Sequence, residues 1–298
     1  MAVSKSFFQN FVLSCPPRES SFVVLLNGLL RQVVKTEQNN NKTAHSMKTK
    51  TNHSIVSPSE WLAARKELLV EEKRLTRQMD AVSARRRALP WVKMEKNYQF
   101  DSQQGRVSLA DLFGCKSQLV IQHFMLGPDW GEGCQSCSFM ADHTDGMLPH
   151  LAARDVTMMA VSRAPLAEIE AFKKRMSWQF PWASSHGSDF NHDFHVSFTE
   201  KEVESGKVDY NYTKQEFPKT EAPGLSVFHK TANGYIFHTY SVYGRGVELM
   251  MGAYRILDLT PKGRDEEDLD WPQMWVRYHD SYETGAEECG CLSKEAVA

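Results

Sequence analysis

Two pairs of closely spaced cysteines are the residues in this sequence whose types and spacing suggest chemistry. Cys134 and Cys137 form a C-x-x-C motif, and Cys289 and Cys291 form a C-x-C motif near the carboxyl end. The chain has six cysteines in 298 residues, too few for a secreted scaffold held together by disulfides. Paired cysteines in such a chain are typical of redox or metal chemistry in a reducing compartment, so we expect a cytoplasmic protein.

The C-x-x-C pair lies where a predicted strand gives way to a predicted helix. The apolar run Leu119–Leu126 predicts a buried strand, and a helix is predicted over Ser136–Ala153. Unpaired N–H groups and the helix dipole stabilise a thiolate at a helix amino terminus, so we expect the pKa of Cys134 to lie below about 8.5. Cys134 would attack a disulfide or peroxide, and Cys137 would resolve the intermediate. The alternative is a pair of inert, buried thiols.

Histidines near these cysteines raise the question of a metal site. His192 and His195 are three residues apart and could share a metal on a helix, or they could belong to a polar segment that holds a loop. His143 and His150 follow the C-x-x-C motif on the same predicted helix. One helix cannot easily wrap four zinc ligands tetrahedrally. We therefore expect no metal and no cofactor.

The elements around the motif alternate between strands and helices. A second buried strand is predicted at Val156–Ser162, a helix at Pro165–Trp178, and a hairpin formed by Leu225–His229 and Tyr235–Tyr240 around an Asn-Gly turn. Further elements are predicted at Asn97–Phe100 and Phe180–Ala183 (strands), Val107–Phe113 (a turn or single helical turn), and Gly246–Leu257 and Pro272–Tyr278 (helices). Strands joined through helices are parallel, whereas the hairpin is antiparallel. The expected fold is α/β and thioredoxin-like, with a central mixed sheet flanked by helices.

Pro223 is the third candidate site residue. Ala222 and Pro223 directly precede the first hairpin strand, where thioredoxins keep a cis-proline that faces the dithiol. A cis form would expose the backbone of Ala222 to a bound peptide or a mixed disulfide. Only about 5–6% of X–Pro bonds are cis, so a trans proline that begins the strand is the other alternative.

A long amphipathic helix is predicted before this domain, over residues 57–90. Ser57, Pro58 and Glu60 form a capping box with proline at the first helical position, and Pro90 should end the helix. Apolar residues fall near heptad spacing at Trp61, Leu68, Leu75, Met79 and Val82. This narrow stripe could pack along the domain or form a homodimer with a second chain.

The remaining segments and the charge set limits on partners. Residues 1–56 are expected to form a disordered or dispensable extension. Residues 91–282 are expected to form the thioredoxin-like domain, and residues 283–298 a disordered tail.

The composition indicates which partners to expect. The net charge is −2, with 41% hydrophobic and 24% charged residues. We therefore expect no nucleic-acid partner. No apolar run reaches the roughly 18 residues that a membrane span needs, so no membrane partner is expected.

Several longer stretches resemble one bacterial family. The chain is similar to the thioredoxin-like family called domain of unknown function 899 in SPSEWLAARKELLVEEK, VSLADLF, HFMLGP, VSRAPLAEIEAFKKRMSW, SSHGSDFNHDF, PGLSVFHKTANGYIFHTYSVYGRG and LDLTPKGRDE. The resemblance covers roughly residues 57–280. It implies a fold of the thioredoxin and peroxiredoxin superfamily, and it implies no specific activity.

The sequence also departs from the patterns of that superfamily. Where thioredoxin has Trp-Cys-Gly-Pro-Cys, this chain has Gly133 before the first cysteine and Gln-Ser between the two. A peroxidase would need a threonine at Gly131 and an arginine near the cysteine, for which Arg163 is a candidate only by topology.

Three functions follow as hypotheses. The first is a thiol–disulfide oxidoreductase in which Cys134, Cys137 and Pro223 form the site and a protein or small-molecule disulfide is the substrate. The second is a thioredoxin-like binding module without turnover. The third is a peroxiredoxin-like thiol peroxidase.

Overall fold

The computed structural model describes residues 53–282. These residues fall into two compact units, with the boundary between Arg85 and Arg86. The tail predicted at 283–298, with Cys289 and Cys291, lies outside the described residues, as does nearly all of the predicted extension over 1–56. Those predictions stay predictions.

The first unit is built on one long helix, α1 (Pro58–Arg87). Its amino terminus has the predicted capping box: the Ser57 N–H donates to a Glu60 carboxylate oxygen at 2.9 Å, and the Glu60 N–H donates to Ser57 Oγ at 3.3 Å. The helix has no buried residue. Pairing of its apolar stripe with a second chain stays a prediction.

Within the described residues, the second unit contains ten strands, six short α-helices and three 3-10 helices. The strands are β1 (Val92–Lys93), β2 (Gln99–Ser102), β3 (Gly105–Ser108), β4 (Gln118–His123), β5 (Val156–Ser162), β6 (Trp182–Ser184), β7 (Val208–Tyr210), β8 (Thr213–Gln215), β9 (Gly224–Lys230) and β10 (Ile236–Tyr243). The α-helices are α2 (Gln135–Ala141), α3 (Leu148–Ala152), α4 (Leu166–Arg175), α5 (Phe190–Asp193), α6 (Glu200–Glu204) and α7 (Gly252–Leu257).

Eight of the strands form one mixed sheet, in the order β1-β10-β9-β4-β5-β6-β2-β3. β4, β5 and β6 are parallel, whereas β9 is antiparallel to both β4 and β10. The parallel pair and the antiparallel hairpin are those expected from the sequence. The fold is therefore thioredoxin-like, with β4 in the middle of the sheet and α2 starting shortly after it.

The core is rich in aromatic side chains that surround β4. Phe124 packs against Trp182, with 4.5 Å between ring centroids, and Phe190 packs against Phe194 at 4.7 Å. His123 is a core histidine that is 1% exposed, and its Nε2 lies 2.8 Å from Ser226 Oγ. This packing buries the end of the strand that leads to the cysteines.

The helix predicted over Ser136–Ala153 is interrupted. Between α2 and α3 lies a short 3-10 helix, Asp145–Met147. Pro149 lacks an N–H and would clash inside one long helix, so it is accommodated in the first turn of α3. His143 and His150, which were expected on the same helix, consequently lie on opposite sides of this break.

Three further element predictions need correction. Val107–Phe113 contains the end of β3 as well as a 3-10 turn. Gly246–Leu257 is a 3-10 helix (Gly244–Met250) followed by α7, because Met251 leaves the helical region with ψ 80°. Pro272–Tyr278 forms turns instead of a helix, since Gln273 has a φ of 68° that a right-handed helix excludes. Within residues 53–282, every helix is too short or too polar to cross a bilayer.

Candidate functional site

Cys134 lies at the junction between the central strand and α2. It caps the helix with an extended backbone, φ −63° and ψ 131°. Its N–H donates to the carbonyl of Met125 at 3.0 Å, and its own carbonyl accepts from the Ser138 N–H at 2.9 Å. Backbone hydrogen bonds on both sides thus fix the position of this cysteine.

The three predicted site residues line one cavity. Cys134 and Cys137 are each 1% exposed. They share with Pro223 a small cavity of about 10 Å³ whose lining is Met125, Cys134, Ser136, Cys137, Met140, Pro223, Val247 and Met251. The topology therefore brings the dithiol and the proline together from segments almost ninety residues apart.

The peptide bond before Pro223 is trans, so the cis form considered from the topology is not the one present. The proposed role of Ala222 also needs correction. Its N–H donates to the carbonyl of Val196 at 2.8 Å and is therefore already used within the chain. An incoming peptide would have to displace this bond in order to pair with that N–H.

Tyr210 is a site residue that the sequence did not single out. It is buried, and its hydroxyl donates to the carbonyl of Pro223 at 2.7 Å and accepts from the Gly244 N–H at 2.9 Å. Burial raises the pKa of this phenol, and negative charge on Cys137 would raise it further. Tyr210 belongs to the aromatic-rich stretch over 185–217, but nothing in the sequence distinguishes it from neighbouring tyrosines.

The packing around Gly133 explains why this chain has no tryptophan at that position, where thioredoxins have one before the first cysteine. A Cβ at Gly133 would lie 2.4 Å from Phe124 and 2.7 Å from Phe172, which is closer than atoms can pack. The carbonyl of Gly133 accepts a hydrogen bond from the Tyr278 hydroxyl at 2.6 Å. Aromatic side chains thus occupy the space that a residue larger than glycine would need.

Arg163, the candidate for polarising a peroxide, is engaged elsewhere. Its Nε lies 2.6 Å from Glu221 Oε1, and Ser197 Oγ donates to the other carboxylate oxygen at 2.6 Å. Its NH1 lies 3.3 Å from His192 Nε2, which must be the acceptor because a guanidinium only donates. Burial raises the pKa of Glu221, while Arg163 and Ser197 oppose that shift. These contacts fix the side chain of Glu221, which lies two residues before Pro223 in the sequence.

Of the histidines considered for a metal, His143 has two hydrogen-bond partners within the protein. His143 Nδ1 donates to the carbonyl of Phe139 at 2.8 Å, and its Nε2 accepts from the Ala253 N–H at 3.0 Å. Both ring nitrogens are therefore occupied, and His143 connects α2 to α7. Among residues 53–282, no group of three or more His, Cys, Asp or Glu side chains is arranged to hold a metal ion.

Comparison with known families identifies the family to which the chain belongs. The model of a family described as "Bacterial protein of unknown function (DUF899)" matches residues 50–282. The chain belongs to this family. The match includes Cys134, Cys137 and Pro223, so the cavity of this DUF899 protein lies within the family region. The curated proteins include no match.

Solved structures similar to this DUF899 protein are distant. Peroxidoxin BcpB from Mycobacterium tuberculosis is 12% identical, with a TM-score of 0.37, and the match covers 55% of this chain and 96% of that one. A putative thiol:disulfide interchange protein DsbE from Chlorobium tepidum is 14% identical, with a TM-score of 0.34 and coverages of 55% and 97%. The mitochondrial 2-Cys peroxiredoxin from Plasmodium falciparum is 14% identical, with a TM-score of 0.35 and coverages of 56% and 94%.

Proposed function

We propose that this protein is a thiol–disulfide oxidoreductase that uses Cys134 and Cys137 on a protein or small-molecule disulfide. One observation carries the proposal: both cysteines and Pro223 line a single cavity at the start of α2. A C-x-x-C pair that begins a helix after a central strand is suited to dithiol chemistry. A cytoplasmic location, where a reduced dithiol persists, is part of this proposal.

The reaction is written with Cys134 as nucleophile. Its thiolate attacks one sulfur of the substrate disulfide, and the other substrate sulfur leaves as a thiolate that takes a proton from solvent. The Cys137 thiolate then attacks Cys134 within the mixed disulfide, which releases the second substrate thiol and forms the Cys134–Cys137 disulfide. The substrate gains two electrons, and an external dithiol reductant returns them to the protein.

Burial of the sulfurs sets a requirement on this chemistry. Cys134 and Cys137 are each 1% exposed, so a bulky disulfide reaches them only when the cavity opens. A small disulfide needs less opening than a protein substrate. The same burial favours a second candidate, a thioredoxin-like binding module in which the two thiols only pack.

The ion pair between Arg163 and Glu221 argues against a peroxidase function. Its Nε and NH2 atoms lie 2.6 Å from Glu221 Oε1, so polarising a peroxide would cost a buried ion pair. Gly131 also replaces the threonine that a peroxidase would need. Peroxide consumption that depends on Cys134 would favour the peroxidase over the oxidoreductase.

The decisive experiment measures the reactivity of Cys134 and the disulfide it forms. The full chain is equilibrated in glutathione buffers, alkylated with iodoacetamide across a pH series, and read by peptide mass spectrometry. The exposed Cys115 is the internal control for an ordinary thiol. An oxidoreductase should form a Cys134–Cys137 disulfide and show an alkylation midpoint for Cys134 below about 7.5.

A second outcome of the same experiment would reject the oxidoreductase. A midpoint for Cys134 near or above about 8.5 with no Cys134–Cys137 disulfide would leave the binding module as the function. The Cys134→Ser variant checks the assignment of the nucleophile, because it should lose turnover of oxidised glutathione while Cys115→Ser retains it.

A further inference from the structure

The cavity beside the C-x-x-C motif is lined mainly by sulfur-bearing side chains. Five of its eight lining residues carry sulfur: Met125, Cys134, Cys137, Met140 and Met251. Each of the five is 1% exposed or less. The other three lining residues are Ser136, Pro223 and Val247, which contribute no carboxylate and no imidazole.

The sulfurs come from three separate parts of the fold. Met125 follows β4, and its carbonyl accepts the Cys134 N–H at 3.0 Å. Cys137 and Met140 are three residues apart on α2, so they are neighbours on the helix surface. Met251 lies between the 3-10 helix and α7. The tertiary structure, and not local sequence, collects these side chains.

Ordinary packing accounts for this arrangement only in part. Methionine commonly fills irregular gaps in a core, yet a cavity of about 10 Å³ remains between these methionines and the cysteines. Met251 is also oriented by a polar group, since the buried amide of Gln273 donates to its sulfur at 3.4 Å. This hydrogen bond uses one of the two lone pairs of the Met251 sulfur and leaves the other available to a metal ion.

We infer that this cavity binds one Cu(I) ion through Cys134 and Cys137 together with thioethers of the surrounding methionines. Thiolate and thioether sulfurs are the soft ligands that select Cu(I). Zinc sites use thiolate, imidazole and carboxylate ligands, and the lining has no imidazole or carboxylate to complete one. The apolar surroundings restrict the access of water to the ion.

Binding is a ligand exchange without electron transfer. Two Cu–S bonds form as two S–H bonds break, and the two protons pass to the buffer. The methionine sulfurs donate lone pairs and release no proton. The copper stays Cu(I) throughout, so no oxidant is needed. This inference concerns the reduced protein and does not require that the dithiol turn over.

The test is a Cu(I) titration of the reduced, full-length protein under anaerobic conditions, with bicinchoninate as the competing chelator. We expect one tightly bound Cu(I) per chain. Substituting both Met140→Leu and Met251→Leu, which keeps the side-chain volumes similar while removing the two sulfurs, should weaken binding by at least about tenfold, as losing a metal-site interaction does. Met176→Leu, a buried methionine outside the cavity, is the matched control and should leave the affinity unchanged.

X-ray absorption of the loaded protein supplies a second readout. An all-sulfur shell with more than two scatterers is expected, and the Met140→Leu/Met251→Leu variant should show fewer sulfur scatterers than the parent. An unchanged affinity and an unchanged shell in that variant would overturn the inference, leaving a simple two-thiol site. Circular dichroism verifies that each variant is folded, and single variants replace the double variant if it is not.

The two proposals fail separately. A Cys134–Cys137 disulfide in glutathione buffer together with methionine-independent copper binding would reject only the copper site. Methionine-dependent copper binding without a disulfide would reject only the oxidoreductase.

Discussion

The hydroxyl of Tyr210 donates a 2.7 Å hydrogen bond to the carbonyl of Pro223. Because the same hydroxyl accepts the N–H of Gly244 at 2.9 Å, one buried side chain joins the start of β9 to the end of β10. Pro223 lines the cavity that contains Cys134 and Cys137. The position of this proline beside the dithiol thus depends on a residue of β7, outside the main sheet.

Tyr210→Phe should therefore destabilise the protein. It leaves a buried carbonyl and a buried N–H without their partner, and an unsatisfied buried group costs about 1–3 kcal/mol. The measurement is the free energy of unfolding in urea. Tyr212→Phe is the control, since Tyr212 also donates to a carbonyl, that of Ser241, but is 76% exposed. Equal effects of the two substitutions would argue against the role of Tyr210.

Gly133→Ala should destabilise the loop that leads into Cys134. The new methyl group would lie 2.4 Å from Phe124, and overpacking of this kind costs about 1–3 kcal/mol. Gly146→Ala is the matched control, because a Cβ at Gly146 meets nothing within 4 Å. Thermal unfolding of both variants distinguishes them. A Gly133→Ala protein as stable as the parent would show that the two phenylalanines move aside freely.

Glu221→Gln should break the buried ion pair behind Pro223. The Glu221 side chain is 1% exposed and that of Arg163 24%, and removing one partner of a buried pair costs about 3–5 kcal/mol. We expect the lower end of this range, because Arg163 retains contact with water. Asp189→Asn, which removes an exposed partner of Lys96, should change the free energy of unfolding by about 1 kcal/mol or less. Similar small effects of both substitutions would contradict the prediction.

His123 should make stability depend on pH. Burial, followed by the nearby His238, lowers its pKa from 6.5 to about 3. Between those values the unfolded chain binds a proton that the folded protein does not. His123 therefore lowers stability as the pH falls below 6.5, with a slope of up to about 1.4 kcal/mol per pH unit.

The measurement for His123 is the free energy of unfolding from pH 7 to pH 4 in the parent and in His123→Gln. In the variant, the free energy of unfolding should change less steeply with pH, because the contribution of His123 is absent. This holds whatever the absolute stability of the variant. An identical slope in both proteins would mean that His123 binds its proton equally well in the folded state.

Prediction of the central elements from sequence succeeded where the local signal was strong. The apolar run over Leu119–Leu126 and the Asn-Gly turn of the hairpin need no distant partner to be recognised. Helix boundaries were less accurate. The helix break before Pro149 follows from a local signal, the proline, that the predicted helix did not take into account. The left-handed backbone of Gln273 has no such signal in a short window of sequence.

The sequence by itself determined the dithiol, its place after the central strand and the thioredoxin-like order of elements, because each is encoded in residues adjacent along the chain. Only the tertiary structure decided that three methionines surround the dithiol, that Tyr210 holds Pro223, and that Arg163 pairs with Glu221. Those contacts join residues from separate strands and loops. Which side chains meet there depends on how the whole core packs, so no local pattern specifies them.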